Sequence, residues 1–153
     1  MSINLSLDLP KKIALVHEWF SPRSFGGAEN VVKTIDDLLS LISSRPELFA
    51  LVRGGNSQED SWLRNREVKT SFIQKLPFGI SHVQKYSPLL PFAIEQIDLE
   101  GYPLVISSSH LVAKGILTSP DQLHISYVHT PVRYAWDQMN IYLKKSFLRK
   151  IGL

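Results

Sequence analysis

The side chains able to do chemistry in this chain fall at the ends of short apolar runs. His129 follows His124-Ile125-Ser126-Tyr127-Val128 and precedes Thr130-Pro131. An imidazole so placed can hydrogen-bond a hydroxyl or lend positive charge to a leaving phosphate, which makes His129 the candidate catalytic residue. His17 and Glu18 follow Ile13-Ala14-Leu15-Val16 in the same manner, and Ser107, Ser108, Ser109 and His110 follow Leu104-Val105-Ile106. The pair Gly26-Gly27 stands before Glu29 and a helical pattern. A joint of that kind offers free backbone N–H groups and the positive helix end to an anion. Arg133, just past His129, can pair with a phosphate or carboxylate. Each has a plainer role beside it: histidines cap or pack, serines before a helix cap it, a glycine pair makes a turn, and an arginine sits at the surface.

Several chemistries are set aside by pattern. The glycine pair is neither the G-x-G-x-x-G fingerprint nor a G-K-[ST] phosphate loop. Ser108 has no G-x-S-x-G setting. His17, Glu18, His110 and His129 lack metal-ligand spacing, so no metal is expected. Tyr134 and Trp136 can stack on a ring but more often pack.

The elements that must position these residues alternate between strand and helix. The run 13–16 is short and continuously apolar, as in a parallel strand buried on both faces. Ala28, Val31, Val32, Ile35, Leu38, Leu39 and Ile42 then recur at three-and-four spacing, one face of a helix. Ser43-Ser44-Arg45-Pro46 is a turn, 48–52 a second strand ended by Gly54-Gly55-Asn56, and 57–66 a polar loop or short helix. Residues 68–73 read as a third strand, 82–86 as one or two helical turns, and 89–99 as a helix with Pro88 and Pro91 near its start. A strand at 102–107 leads to the serines, expected to cap a helix from His110; 124–128 is the last strand and 133–153 a helix. This order predicts an α/β fold: a mostly parallel sheet with helices on both faces. Ligands then sit outside the carboxyl ends of the strands, which gathers His17-Glu18, Ser107-Ser108-Ser109-His110 and His129-Thr130 on one rim.

Bulk properties agree with one globular domain of 153 residues. The net charge of +3 is too small to argue for nucleic acid. The chain has no cysteine, which excludes disulfides and thiol chemistry. Residues 1–10 have neither a cationic start nor an apolar core, so a disordered tail is expected rather than a signal peptide. Basic and apolar residues alternate from Tyr142 to Leu153, a pattern of peripheral membrane contact or of a helix that packs on a partner.

Three strings, KIALVHEWFSPRSFGGAENVV, PLVISSSHLVAKG and HISYVHTPVRYAWD, together resemble the N-terminal half of family 4 retaining glycosyltransferases of the GT-B type. They look most like bacterial mannosyltransferases that build O-antigen and other surface polysaccharides. The similarity covers nearly all of the chain after Pro10. It implies two Rossmann-like domains facing a cleft, with residues 11–153 as the acceptor-side one and the C-terminal donor domain absent. It implies transfer of a hexose, mannose by the likeness, from a nucleotide-sugar such as GDP-mannose to a glycan or lipid-linked acceptor, without a further cofactor. Gly26 and Gly27 would then lie near donor phosphates or acceptor, and His129 at the transferred sugar. Retention in the family is ascribed to front-face displacement assisted by the leaving phosphate, so no covalent nucleophile is required. The family's Glu-x7-Glu motif belongs to the missing half; Glu59 and Glu67 share that spacing by coincidence. The expected setting is cytoplasmic, at the inner face of the membrane, with a separate C-terminal domain as partner. The alternative reading is a non-catalytic Rossmann-like binding module left by truncation, and an NAD-type oxidoreductase is disfavoured because its fingerprint is absent.

Overall fold

The structure is a computed structural model that describes residues 9–20, 26–54, 62–63 and 66–130. Its frame is one sheet of five parallel strands in the order β3-β2-β1-β4-β5. The strands are β1 (Ile13–Phe20), β2 (Glu47–Arg53), β3 (Val68–Thr70), β4 (Leu104–Ser109) and β5 (Leu123–Val128). Helix α1 (Gly27–Ile42) joins β1 to β2, and the short α2 (Leu90–Glu95) lies between β3 and β4. This is a Rossmann-like α/β fold, as the alternation of elements predicts.

The alternation of side chains along β1 explains the layers. Ile13 and Leu15 point to one face and pack with Val32 and Leu39 of α1, and with Leu48, Ala50 and Leu104. Ala14 and Val16 point to the other face, against Phe49, Leu51, Val105 and the α2 residues Leu90, Ala93 and Ile94. A strand buried on both sides needs apolar residues at successive positions, which is why its sequence reads as a run rather than an alternation. Each such side chain taken out of water contributes about 1.5–3 kcal/mol. A helix cap contributes about 0.5–2 kcal/mol. Burial of Val32 and Leu39 therefore outweighs the lack of a capping side chain at Gly26, where α1 begins.

Four differences from the sequence expectation matter. First, β1 does not stop at Val16 but continues to Phe20, with His17 paired to Ala50 and Ser108, and Phe20 to Arg53. Trp19 and Phe20 favour an extended backbone, and Gly54 N–H donates to the Phe20 carbonyl at 2.7 Å. Second, Ser107, Ser108 and Ser109 belong to β4 and cap no helix; past them comes only the 3-10 turn Ala113–Gly115. Third, α1 buries a charge: Asp36 lies on the same stripe as Val32 and Leu39, while Leu38 and Ile42 are exposed. Arg66 Nη1 donates to both Asp36 oxygens at 2.8 and 2.6 Å, and its Nη2 donates to the Pro46 carbonyl. Fourth, Leu9 packs against the Ile13–Leu39–Leu104 cluster, so the expected tail does not run unbroken to Pro10. The expected helix at 133–153, with Arg133, Tyr134 and Trp136, lies outside the described residues, as do residues 1–8.

Candidate functional site

In a 3-2-1-4-5 sheet the order reverses between β1 and β4, and a crevice opens outside the carboxyl ends of those two strands. His17 and Glu18 stand on β1 at that crevice, Ser108 and Ser109 on β4, and His110 and His129 just past β4 and β5.

Glu18 is fully buried, with four hydrogen bonds on one carboxylate oxygen and none on the other. Its Oε1 accepts from Ser109 Oγ at 2.9 Å and from the backbone N–H groups of His110, Leu111 and Ala113 at 3.0, 2.8 and 3.1 Å. His110 Nδ1 lies 3.0 Å from Oε2, close but not aligned as a hydrogen bond. Burial pushes the Glu18 pKa up, but His110, the Leu111 N–H and His17 together pull it well below the usual carboxylate range. The turn after β4 thus aims its backbone donors at an anion as a helix start would, and the chain supplies that anion itself.

His17 is equally buried. Its Nδ1 lies 3.0 Å from the Ser108 carbonyl, which can only accept, so that nitrogen carries the proton. Its Nε2 is buried without a hydrogen-bond partner. Burial lowers the His17 pKa against the opposing pull of Glu18, which keeps the ring neutral and leaves Nε2 a free acceptor. The Ser108 side chain turns the other way, its Oγ 2.8 Å from His129 Nε2. His129 N–H also donates to the Ser109 carbonyl at 2.8 Å, and burial lowers its pKa too. The His110 ring meets Trp19 edge-on at 4.8 Å and leans on His17 at 5.9 Å between centroids.

The second part of the rim is the start of α1. The first intrahelical bond runs from Asn30 N to the Gly26 carbonyl at 3.1 Å. The Glu29 carboxylate turns back to accept from Gly26 N–H at 2.9 Å. That is half of a capping box, the half a glycine cap can make. The N–H groups of Gly27, Ala28 and Glu29 have no acceptor within the helix, as at any helix start. Gly27 is exposed, and a Cβ there would meet nothing within 4 Å.

Of the residues expected from sequence, His17, Ser109, His110 and His129 come together at the crevice. Gly26, Gly27 and Glu29 form the neighbouring helix start, and Arg133 lies outside the described residues. Glu18 and Ser108 were expected on the rim without a role of their own, and Trp19 was not singled out. A carboxylate directly after a doubly buried run was the available signal, because a charge there must be neutralised within the fold. Among the described residues no group of three or more His, Asp or Glu is arranged to hold a metal ion. A groove of about 580 Å³ lies at the opposite pole, before β4 and β5, lined by residues such as Glu95, Asp98 and Gln122. The rim instead gathers His17, His110 and His129.

Comparison with protein-family models, with curated proteins and with solved structures returns no match.

Proposed function

We propose that this chain is the acceptor-side domain of a retaining, sugar-nucleotide-dependent glycosyltransferase of GT-B architecture, acting on a glycan or lipid-linked acceptor. The resemblance of its three motifs to family 4 enzymes supports that reading, with mannose from GDP-mannose as the first donor to try. The observation that carries it is the state of Glu18. Its Oε1 accepts from four donors of its own chain, Ser109 Oγ and three backbone N–H groups, and its Oε2 is buried 3.0 Å from His110 Nδ1, so the carboxylate is closed off inside the fold and not presented as a nucleophile or base. What it leaves at the rim is neutral imidazole: the half-buried His129 ring braced by Ser108, with the His17 ring buried nearby. Neutral rings of that kind suit sugar hydroxyls.

On this reading the bond between the anomeric carbon and the nucleotide phosphate breaks as the acceptor oxygen attacks from the same face. The acceptor's proton passes to the leaving phosphate oxygen. The chain's part is to hold the acceptor in line and to place donors where charge develops. A second domain carries most of the nucleotide-sugar contacts, and membrane proximity follows from a lipid-linked acceptor.

The test is a nucleotide-sugar panel that includes GDP-mannose, assayed on the chain alone and joined to a donor-binding domain. Transfer is expected only when that domain is present, because the reacting groups are otherwise not brought together. In the joined enzyme His129→Ala should lower turnover by roughly ten- to a thousandfold with little change in Tm. Robust transfer by the chain alone, or unchanged turnover in His129→Ala, would overturn the proposal. Binding without transfer under every condition would point to a non-catalytic module.

A further inference from the structure

The two edges of the sheet are built differently. Strand β3 is three residues long, and its Lys69 holds Glu47 at 2.8 Å. A short strand that carries a lysine is guarded against pairing with another chain. Strand β5 is six residues long, with no proline, Asp, Glu, Lys or Arg from Leu123 to Val128. Among the described residues it pairs with β4 alone.

The free side of β5 can be read from its hydrogen bonds. Leu123 N–H donates to the Pro103 carbonyl at 2.9 Å, and His129 N–H donates to the Ser109 carbonyl at 2.8 Å. In a parallel ladder alternate residues turn N–H and C=O to the same neighbour, so the odd-numbered positions face β4. The N–H and C=O groups of His124, Ser126 and Val128 therefore point away from the sheet, a row that another strand can satisfy. The edge is also fixed in place. Ser107 Oγ on β4 donates to Ser126 Oγ at 2.9 Å and lies 2.8 Å from His124 Nε2. A pairing strand thus meets a backbone that is already ordered.

The side chains favour a copy of β5 itself. Leu123, Ile125 and Tyr127 continue the row of Leu104, Ile106 and Ser108, on the face that α1 covers. The cover fades past β4: Leu104 is 4% exposed, whereas Leu123, Ile125 and Tyr127 are 61%, 49% and 51% exposed. An antiparallel copy related by a two-fold axis at Ile125 matches this row to itself. Ile125 then lies opposite Ile125 of the second copy, and Leu123 opposite its Tyr127. Aliphatic and aromatic pairs of that kind stabilise neighbouring strands. On the other face His124 lies opposite Ser126, so the residues with outward backbone groups exchange hydrogen bonds. No like charges meet.

We propose that β5 pairs with β5 of a second copy of this chain, antiparallel across a two-fold axis at Ile125, joining two five-stranded sheets into one. The axis turns the two rims to opposite ends of the joined sheet, so each crevice stays open. The pairing is independent of the glycosyltransferase reading.

The contact is narrow, so the dimer is weak, with a Kd on the order of 10 µM. Sedimentation equilibrium across that concentration is expected to show monomer passing to dimer. Hydrogen exchange at the His124 and Ser126 amides should slow in step with the dimer fraction. Ile125→Lys sets like charges face to face at the axis and should raise Kd at least about tenfold, and Ile125→Glu should do the same. An equimolar mixture of the two variants should pair again, because opposite charges then meet. Leu41→Lys alters an exposed leucine of α1 and should leave Kd unchanged. A monomer at every concentration, or a dimer that Ile125→Lys leaves intact, would overturn the proposal. Failure of the two charged variants to pair with each other would overturn the axis at Ile125.

Discussion

Two places on the rim offer backbone N–H groups to an anion, and they differ in what occupies them. At the exit of β4, the N–H groups of His110, Leu111 and Ala113 converge on one oxygen of Glu18. At the start of α1, Glu29 takes the Gly26 N–H, and the N–H groups that follow have no acceptor among the described residues. The first place is a closed internal bond between neighbouring strands. The second is the one a phosphate can reach. Similar backbone geometry is thus closed by the fold in one place and left open in the other, and the carboxylate decides which.

The largest expected effect comes from opening the closed place. In Glu18→Leu three backbone N–H groups and the Ser109 hydroxyl lose their acceptor. Each buried unsatisfied donor costs about 1–3 kcal/mol, against a total of about 5–15 kcal/mol for a native domain. Urea unfolding should therefore show a loss above about 4 kcal/mol, or no folded protein at all. Glu18→Gln keeps an acceptor oxygen and should lose less. A loss below about 1 kcal/mol in Glu18→Leu would mean that the closed place holds nothing together.

Asp36 sharpens the comparison because it is a buried carboxylate away from the rim, held by Arg66 at 2.6 Å. Asp36→Ala strands the Arg66 charge and should cost about 3–5 kcal/mol. Unlike Glu18→Gln, it should leave the crevice untouched. In the joined enzyme, transfer per folded molecule should stay at the wild-type level for Asp36→Ala and fall for Glu18→Gln.

The pH dependence separates the rim groups by sign and window. The folded-state pKa of His17 lies below its ordinary 6.5, so between those values the unfolded chain binds the extra proton. Stability is thus full above pH 6.5 and declines as pH falls, by up to about 1.4 kcal/mol per pH unit for one fully buried imidazole. Glu18 is also depressed, from 4.5, so its contribution persists above pH 4.5 and is lost only below it. Denaturation followed from pH 7.5 to 3 should show a shallow decline and then a steep one. His17→Asn, which can still donate to the Ser108 carbonyl, should flatten the first; an unaltered slope would show that His17 is not buried neutral.

The layers were legible in the sequence because they rest on burial: the run 13–16 and the spacing of Val32 and Leu39 each name a buried face. The meeting of His17, Ser109, His110 and His129 was legible too, through the rule that strand ends share a rim. The mistakes share one cause. His17-Glu18 read as a strand end and the serine run as a helix cap, and Asp36 drew no reading at all, because polar residues usually mark the limits of buried segments. In the fold each finds its partner across a strand or helix, at sequence separations such as 91 for Ser109 and Glu18, which local pattern cannot show.

Amide chemical shifts of the chain, titrated with a nucleotide-sugar such as GDP-mannose, test the contrast between the open and closed places most directly. Shifts at Gly27, Ala28 and Glu29 are expected, with a Kd on the order of millimolar, together with changes at the His17 and His129 rings. The amides of His110, Leu111 and Ala113 should stay still, because Glu18 already fills them. Gly27→Val should fold normally, as a Cβ there meets nothing within 4 Å, and should lose the shifts at the helix start. Shifts centred on residues 110–113 with the α1 start unmoved would contradict the assignment of closed and open places.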